Sequence, residues 1–256
     1  PDYSKNTFDI RFKDYKKLRN KLESLSIDLW PVHVQVDWYL LWAEMNGYLF
    51  NYKILKPWER DPAFYKSIWT YKSDVPAHEG PTPHFTVELW QYNFPLNKKD
   101  RIKLLSSLEL IPKFNKQAKK NLTGNARDLW IAGIRDIEKQ SKTLEDLNFK
   151  PGVSIDKELV IQIKNAKSST DEFVKWLKIQ ALEKNGQSGI GKENYTWYQQ
   201  NVHLVPMTWE DEVFLLKREL ARAWSSLKLE EHRNRKLPEL KPADSPSSYR
   251  KLAENA

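Results

Sequence analysis

Residues 123–147 read TGNARDLWIAGIRDIEKQSKTLEDL, and this stretch decides the fold class. Leu129, Trp130, Ile134 and Ile137 recur at helical spacing with charged residues between them. An apolar stripe of that period is one face of an amphipathic α-helix. Pro151-Gly152 closes the segment. On its C-terminal side, Ser154 is the expected cap of another helix. That helix carries Leu159, Val160, Ile163, Phe173, Trp176, Leu177 and Ile179 on its apolar side, with Ser168-Ser169-Thr170 as a bend. On its N-terminal side, Asn97 suits the cap of a helix over 98–110, and Pro112 restarts one that runs to 120.

The same pattern continues outward. Phe8, Ile10, Phe12, Tyr15, Leu18, Leu22 and Leu25 approximate one helix face. A second helix starts at Pro31 and carries Val34, Trp38, Leu41, Trp42, Met45 and Leu49. It is apolar nearly all round and is therefore expected at the centre. Residues 56–62 (KPWERDP) form a turn-rich break in which Asp61 caps a short helix opened by Pro62. Residues 73–83, with three prolines and a glycine, read as loop. Residues 84–93 alternate apolar and polar, which predicts an extended segment or hairpin arm. Thr208 and Asp211 make a capping-box start for a helix with Phe214, Leu215, Leu220, Ala221, Trp224 and Leu227. The fold class is all-α: a multi-helix array with at most a short extended segment or hairpin near residues 84–93. Residues 1–240 read as one helical domain and 241–256 as an exposed Pro/Ser-rich tail.

The chain has 256 residues, 40% apolar and 30% charged, enough to bury a core without staples. It has no cysteine, which excludes disulfides, a thiol nucleophile and thiolate metal sites. No apolar run reaches the roughly 18–20 residues that span a bilayer. The net charge is +8, but most lysines alternate with acids, as in Lys98-Lys99-Asp100-Arg101. Such mixed faces are solvated helix surface, so nucleic acid is not the expected partner. The mainly basic face is Lys113, Lys116, Lys119 and Lys120.

Residues 188–209 read SGIGKENYTWYQQNVHLVPMTW, a connector between helices loaded with rings. Loops of that composition commonly carry binding residues. The candidate substrate-binding set is Arg60, Asp61, Tyr195, Trp197 and His203, lining a cleft for a small peptide-like substrate. Arg60 would grip a carboxylate as a two-pronged donor. The Ser188–Lys192 letters suggest a phosphate loop but lack its full spacing and a preceding strand, so the glycines read as hinges. Of 11 tryptophans, Trp38, Trp42, Trp130, Trp176 and Trp224 are assigned to the core, and Trp58, Trp69, Trp197 and Trp209 to the cleft. His33, Asp37 and Glu44 form a polar seam on the second helix. Asn121 and Asn194 open glycosylation sequons, a match that chance often supplies.

Two other functions fit parts of the sequence. His78, Glu79 and His84 (in HEGPTPH) are metal-ligand types, which would make the chain a self-contained metal-dependent hydrolase. Their spacing and the intervening prolines exclude a continuous His-Glu-x-x-His helix. The basic charge and the aromatics would alternatively make a polyanion-binding module.

Three segments together carry a family resemblance: LKPWERDPAFY at 55–65, NLTGNARDLW at 121–130 and GKENYTWY at 191–198. On these, the chain resembles the bacterial domain-of-unknown-function 885 family over most of residues 10–240. The resemblance implies a helical, zincin-like metallopeptidase, often exported or lipid-anchored in the bacterial envelope. The family's metal motif is a His-Glu segment ending in Pro-Gly-His-His. Here His78-Glu79 ends in Thr-Pro-His and precedes the 191–198 segment, and no His-Glu pair follows Trp209. The resemblance therefore implies the non-catalytic N-terminal half of such a protein. No metal ligand or catalytic residue is assigned to this chain, and the zinc site is expected beyond Ala256.

Overall fold

A computed structural model describes residues 2–72, 85–238 and 242–254. They are mainly helical, and the fold is all-α with one short pair of strands among them. The chain divides into two compact units, Pro1–Pro206 and Met207–Ala256. The first holds α1 (Lys5–Glu23), α2 (Val32–Phe50), α3 (Pro57–Arg60), α4 (Lys98–Asn121), α5 (Arg127–Leu147), α6 (Lys157–Ala181) and α7 (Lys192–Asn201). The second holds α8 (Trp209–Arg233) and α9 (Pro246–Glu254).

The core of the first unit is α6 against α4 and α5. Leu159, Ile163, Ala166, Thr170, Phe173 and Leu177 of α6 are buried along one face. They meet Leu104, Leu108 and Ile111 of α4 in one cluster, and Trp130 and Ile137 of α5 with Phe114 of α4 in another. Each fully buried Leu or Ile contributes roughly 1.5–3 kcal/mol by leaving water. That burial explains why α4 runs through Pro112 as one helix, where the sequence predicts a restart. An interior proline costs about 3 kcal/mol, and the apolar face on both sides of it offsets that. The cap of α6 is Asp156, which accepts from the Leu159 N–H at 3.1 Å, in place of the expected Ser154. The helix runs unbroken through 168–170, where the sequence predicts a bend, and Thr170 Oγ1 donates to the Ala166 carbonyl at 2.8 Å.

The extended segment forms at β2 (Val87–Glu88). It pairs in parallel with β1 (Ile68–Trp69), in the register Ile68 to Val87, rather than folding back as a hairpin. The buried Gln140 Oε1 accepts from the Ser67 and Ile68 N–H groups at 2.6 and 3.1 Å, tying β1 to α5.

The second helix is not central. Its buried residues are Ala43, Asn46 and Phe50, while Val32, Val36, Leu40 and Leu41 are exposed. An all-apolar helix ordinarily lies in a core, but this one is packed only along the side that carries Ala43, Asn46 and Phe50. His33, Asp37 and Glu44 likewise face solvent. Helix α1 lies along α2, the π turn that follows it (Asn51–Leu55) and α3 through stacked rings: Tyr15 on Tyr48 at 5.1 Å, Phe12 on Tyr52 at 4.1 Å and Phe8 on Trp58 at 4.0 Å.

In the second unit, Thr208 Oγ1 accepts from the Asp211 N–H at 3.2 Å and Asp211 accepts from the Thr208 N–H at 2.9 Å, completing the capping box of α8. Trp224, expected in the core, is 54% exposed with Phe214 and Leu220. Part of the 241–256 segment is helical, as α9.

Candidate functional site

The candidate residues fall at two places in the first unit. The first is a junction of three chain segments around Arg60. The π turn ends at Lys56 in the left-handed region (φ 42°, ψ 54°), and Pro57 starts α3. This reversal directs Arg60 back over the preceding turn. Its guanidinium donates to the carbonyls of Ile54 and Leu55 at 3.5 and 3.4 Å, and to those of Gln187 and Ser188 at 3.4 and 3.0 Å. Five N–H donors in a fixed fork suit such multiple anchoring.

The other walls of the junction come from 121–130 and 185–188. Gly124 N–H donates to the Glu59 carbonyl at 2.8 Å, an approach so close that a Cβ there would sit 2.9 Å from the same oxygen. Asn125 Oδ1 accepts from the Asn185 and Gly186 N–H groups at 2.8 and 3.0 Å. Ser188 Oγ accepts from the Asp128 and Leu129 N–H groups at 2.8 and 3.3 Å. Helix α5 has no side-chain cap from its own N-terminal residue Ala126, so Ser188 supplies one from another segment. Asn121 Nδ2 donates to the Tyr3 carbonyl and the Tyr65 hydroxyl at 2.9 Å each, which engages the amide of that sequon.

Asp61 caps the 3-10 turn Pro62–Tyr65 as expected, accepting from the Ala63 N–H at 2.8 Å. The turn lies on α5 at Gly133, where a Cβ would meet the Ala63 nitrogen at 2.7 Å. Burial there pushes the Asp61 carboxyl above its ordinary value and the Asp136 charge adds to this, while the Ala63 hydrogen bond and Arg60 oppose it.

The second place is α7. The 188–209 stretch is not a continuous loop: Lys192–Asn201 is helical, with Gly191 at φ +82° as its entry. Trp197 stacks on Phe50 of α2 at 5.8 Å, and Tyr198 meets the same ring edge-on at 4.8 Å. The end of α7 is fixed by the buried Asn46, whose Nδ2 donates to the Asn201 carbonyl at 2.8 Å. Asn46 Oδ1 in turn accepts from Arg19 at 2.8 Å.

On α7, Tyr195, Gln199 and His203 are spaced four apart and hydrogen-bonded in line. Gln199 Nε2 donates to the Tyr195 hydroxyl at 3.1 Å, and Gln199 Oε1 lies 3.1 Å from His203 Nδ1. A glutamine oxygen accepts only, so Nδ1 is the donor in this pair. His203 is exposed, and Tyr198 packs edge-on against its ring at 4.9 Å. The line offers an imidazole, a phenol and an amide, which suits recognition of polar ligand groups.

The structure thus joins Tyr195 to His203 through Gln199, sets Trp197 against α2, and holds Arg60 and Asp61 in the junction. Gln199, Ser188 and Asn46 are absent from the sequence-derived set. Gln199 carried a signal, since it stands four residues from both Tyr195 and His203, but that spacing has meaning only on a helix. His78, Glu79 and His84 lie outside the described residues. Among the described residues, no group of three or more His, Asp or Glu side chains is arranged to hold a metal ion. No described helix is long and apolar enough to cross a membrane. No protein-family model matches the chain, and no match to it is found among curated proteins or solved structures.

Proposed function

We propose that this chain is a helical binding module of a zincin-like metallopeptidase, with α7 as the wall of a cleft for peptide-like substrates. The observation that carries the reading is the Tyr195–Gln199–His203 line on α7. Further support is the adjacency of the segments that carry the family resemblance. Glu59 bonds Gly124, and Arg60 bonds Ser188 just ahead of α7. In this reading Arg60 and Asp61 hold the frame, Trp197 seats α7 on α2, and Tyr195 and His203 contact substrate. In this reading the described residues bind and orient substrate, and no catalytic role is assigned to them. Calorimetric titration of the chain with short synthetic peptides tests the reading. Tyr195→Phe and His203→Ala should each weaken binding about three- to tenfold, the effect of one lost hydrogen bond of about 0.5–1.5 kcal/mol. Unchanged affinity in folded variants refutes it.

A further inference from the structure

A groove of about 610 Å³ opens between the start of α1 and the C-terminal half of α4. Its floor includes Leu110 and Phe114, and its rim carries Lys5, Lys113, Lys116 and Lys120. The basic face visible in the sequence is thus completed by Lys5, from the first residue of α1. Lys113, Lys116 and Lys120 stand at i, i+3 and i+7, one helix face spanning about 10 Å at ~1.5 Å per residue. Residues 110–121 contain no Asp or Glu. All four lysines are exposed, and none makes an ion pair with a described carboxylate. Of the nearby acids, Asp2 accepts from Ser4, Thr7 and Gln117 and keeps its negative charge at the α1 entry, and Glu109 stands one turn before Lys113 on α4.

Four exposed ammonium groups around one concavity outnumber the acids beside them and favour a multiply charged anion. The kind of anion follows from what the groove lacks. Its aromatic ring, Phe114, is 2% exposed, so it offers no face on which a base could stack. Its cations are all lysines, point charges without the planar fork that reads a carboxylate in two-pronged fashion. We propose that this groove is a binding site for a short chain of phosphate groups, gripped by charge alone.

The test is a calorimetric titration of the full chain with inorganic tripolyphosphate at low and high salt. Binding should weaken steeply with salt, as interactions between exposed charges do. The triple variant K113Q/K116Q/K120Q should lose about threefold to about 150-fold in affinity, taking about 0.2–1 kcal/mol for each of the three exposed charges removed. K5Q should lose a smaller factor, and it serves as the readout if the triple variant fails to fold by circular dichroism. The control K217Q/R222Q, which removes two charges from α8, should bind as the parent does. Three results overturn the proposal: no tripolyphosphate binding, equal losses in the groove and control variants, or an oligothymidylate that binds more tightly than tripolyphosphate and keeps its affinity at high salt. Peptide binding at α7 is read with different variants, so the two proposals fail independently.

Discussion

The Ser188 hydroxyl caps helix α5 from 60 residues away, accepting the Asp128 N–H at 2.8 Å. The same residue's carbonyl receives Arg60 at 3.0 Å. One residue therefore links the start of a core helix, the α3 turn and the segment leading into α7. The cap predicts that Ser188→Ala costs about 1 kcal/mol of unfolding free energy, the usual value of a lost N-cap. Urea denaturation with an unchanged slope would show it, and a loss below about 0.3 kcal/mol would mean that the cap is idle.

Gly186 gives a sharper test of the junction. A Cβ at this position would lie 2.0 Å from the Asn125 carbonyl oxygen, a backbone atom that cannot turn aside. Gly186→Ala should destabilise by about 2–3 kcal/mol through forced backbone displacement. Gly189→Ala serves as control, because nothing stands within 4 Å of its added carbon.

Much of this architecture was legible in the residues themselves. Trp130 and Ile137 announce the core face of α5 because burial and a 3.6-residue period coincide there. Asp61, Asn97 and Thr208 announce their turns because capping is local chemistry. The junction was not legible, since a hydroxyl that caps another segment's helix leaves no fixed spacing to read. Nor was the outward position of α2, whose Leu40 and Leu41 resemble core residues in every respect but their exposure. The α7 line was missed for a third reason. Gly186, Gly189 and Gly191 on one side and Pro206 on the other enclose a ten-residue helix, and that punctuation conceals it.

Asp61 predicts a pH effect of defined sign. Its folded-state pKa is raised by burial, so the native protein holds this proton more tightly than the unfolded chain does. Stability from Asp61 should rise as pH falls from its raised value toward the ordinary 3.8, and should be lowest when the carboxylate is fully ionised. Asp61→Asn keeps a capping oxygen without the charge. It should match or exceed the parent at neutral pH, whereas Asp61→Ala should lose about 1 kcal/mol. Equal losses in both variants, from chemical denaturation, would contradict this placement.

Asp156 predicts the opposite slope. The Arg101 guanidinium donates to both its carboxylate oxygens, one of them at 2.8 Å, and holds its carboxyl below the ordinary 3.8 despite partial burial. The Leu159 N–H at the α6 cap adds to this. That stability is present above the ordinary carboxylate range and is lost as pH falls through the depressed folded value. Arg101→Gln should therefore destabilise at neutral pH, and its deficit should shrink in acid as Asp156 protonates. A deficit that is constant with pH would show that Arg101 acts through packing alone.

The central claim is that α7 contacts substrate through Tyr195 and His203, coupled by Gln199. Its most direct test is a double-mutant cycle in the peptide titration, with Tyr195→Phe, His203→Ala and the pair. Both single variants should weaken binding, and the double variant should lose less than the sum, with a coupling of about 0.5 kcal/mol or more. Peptide affinity unchanged in all three variants, with the fold intact, would contradict it.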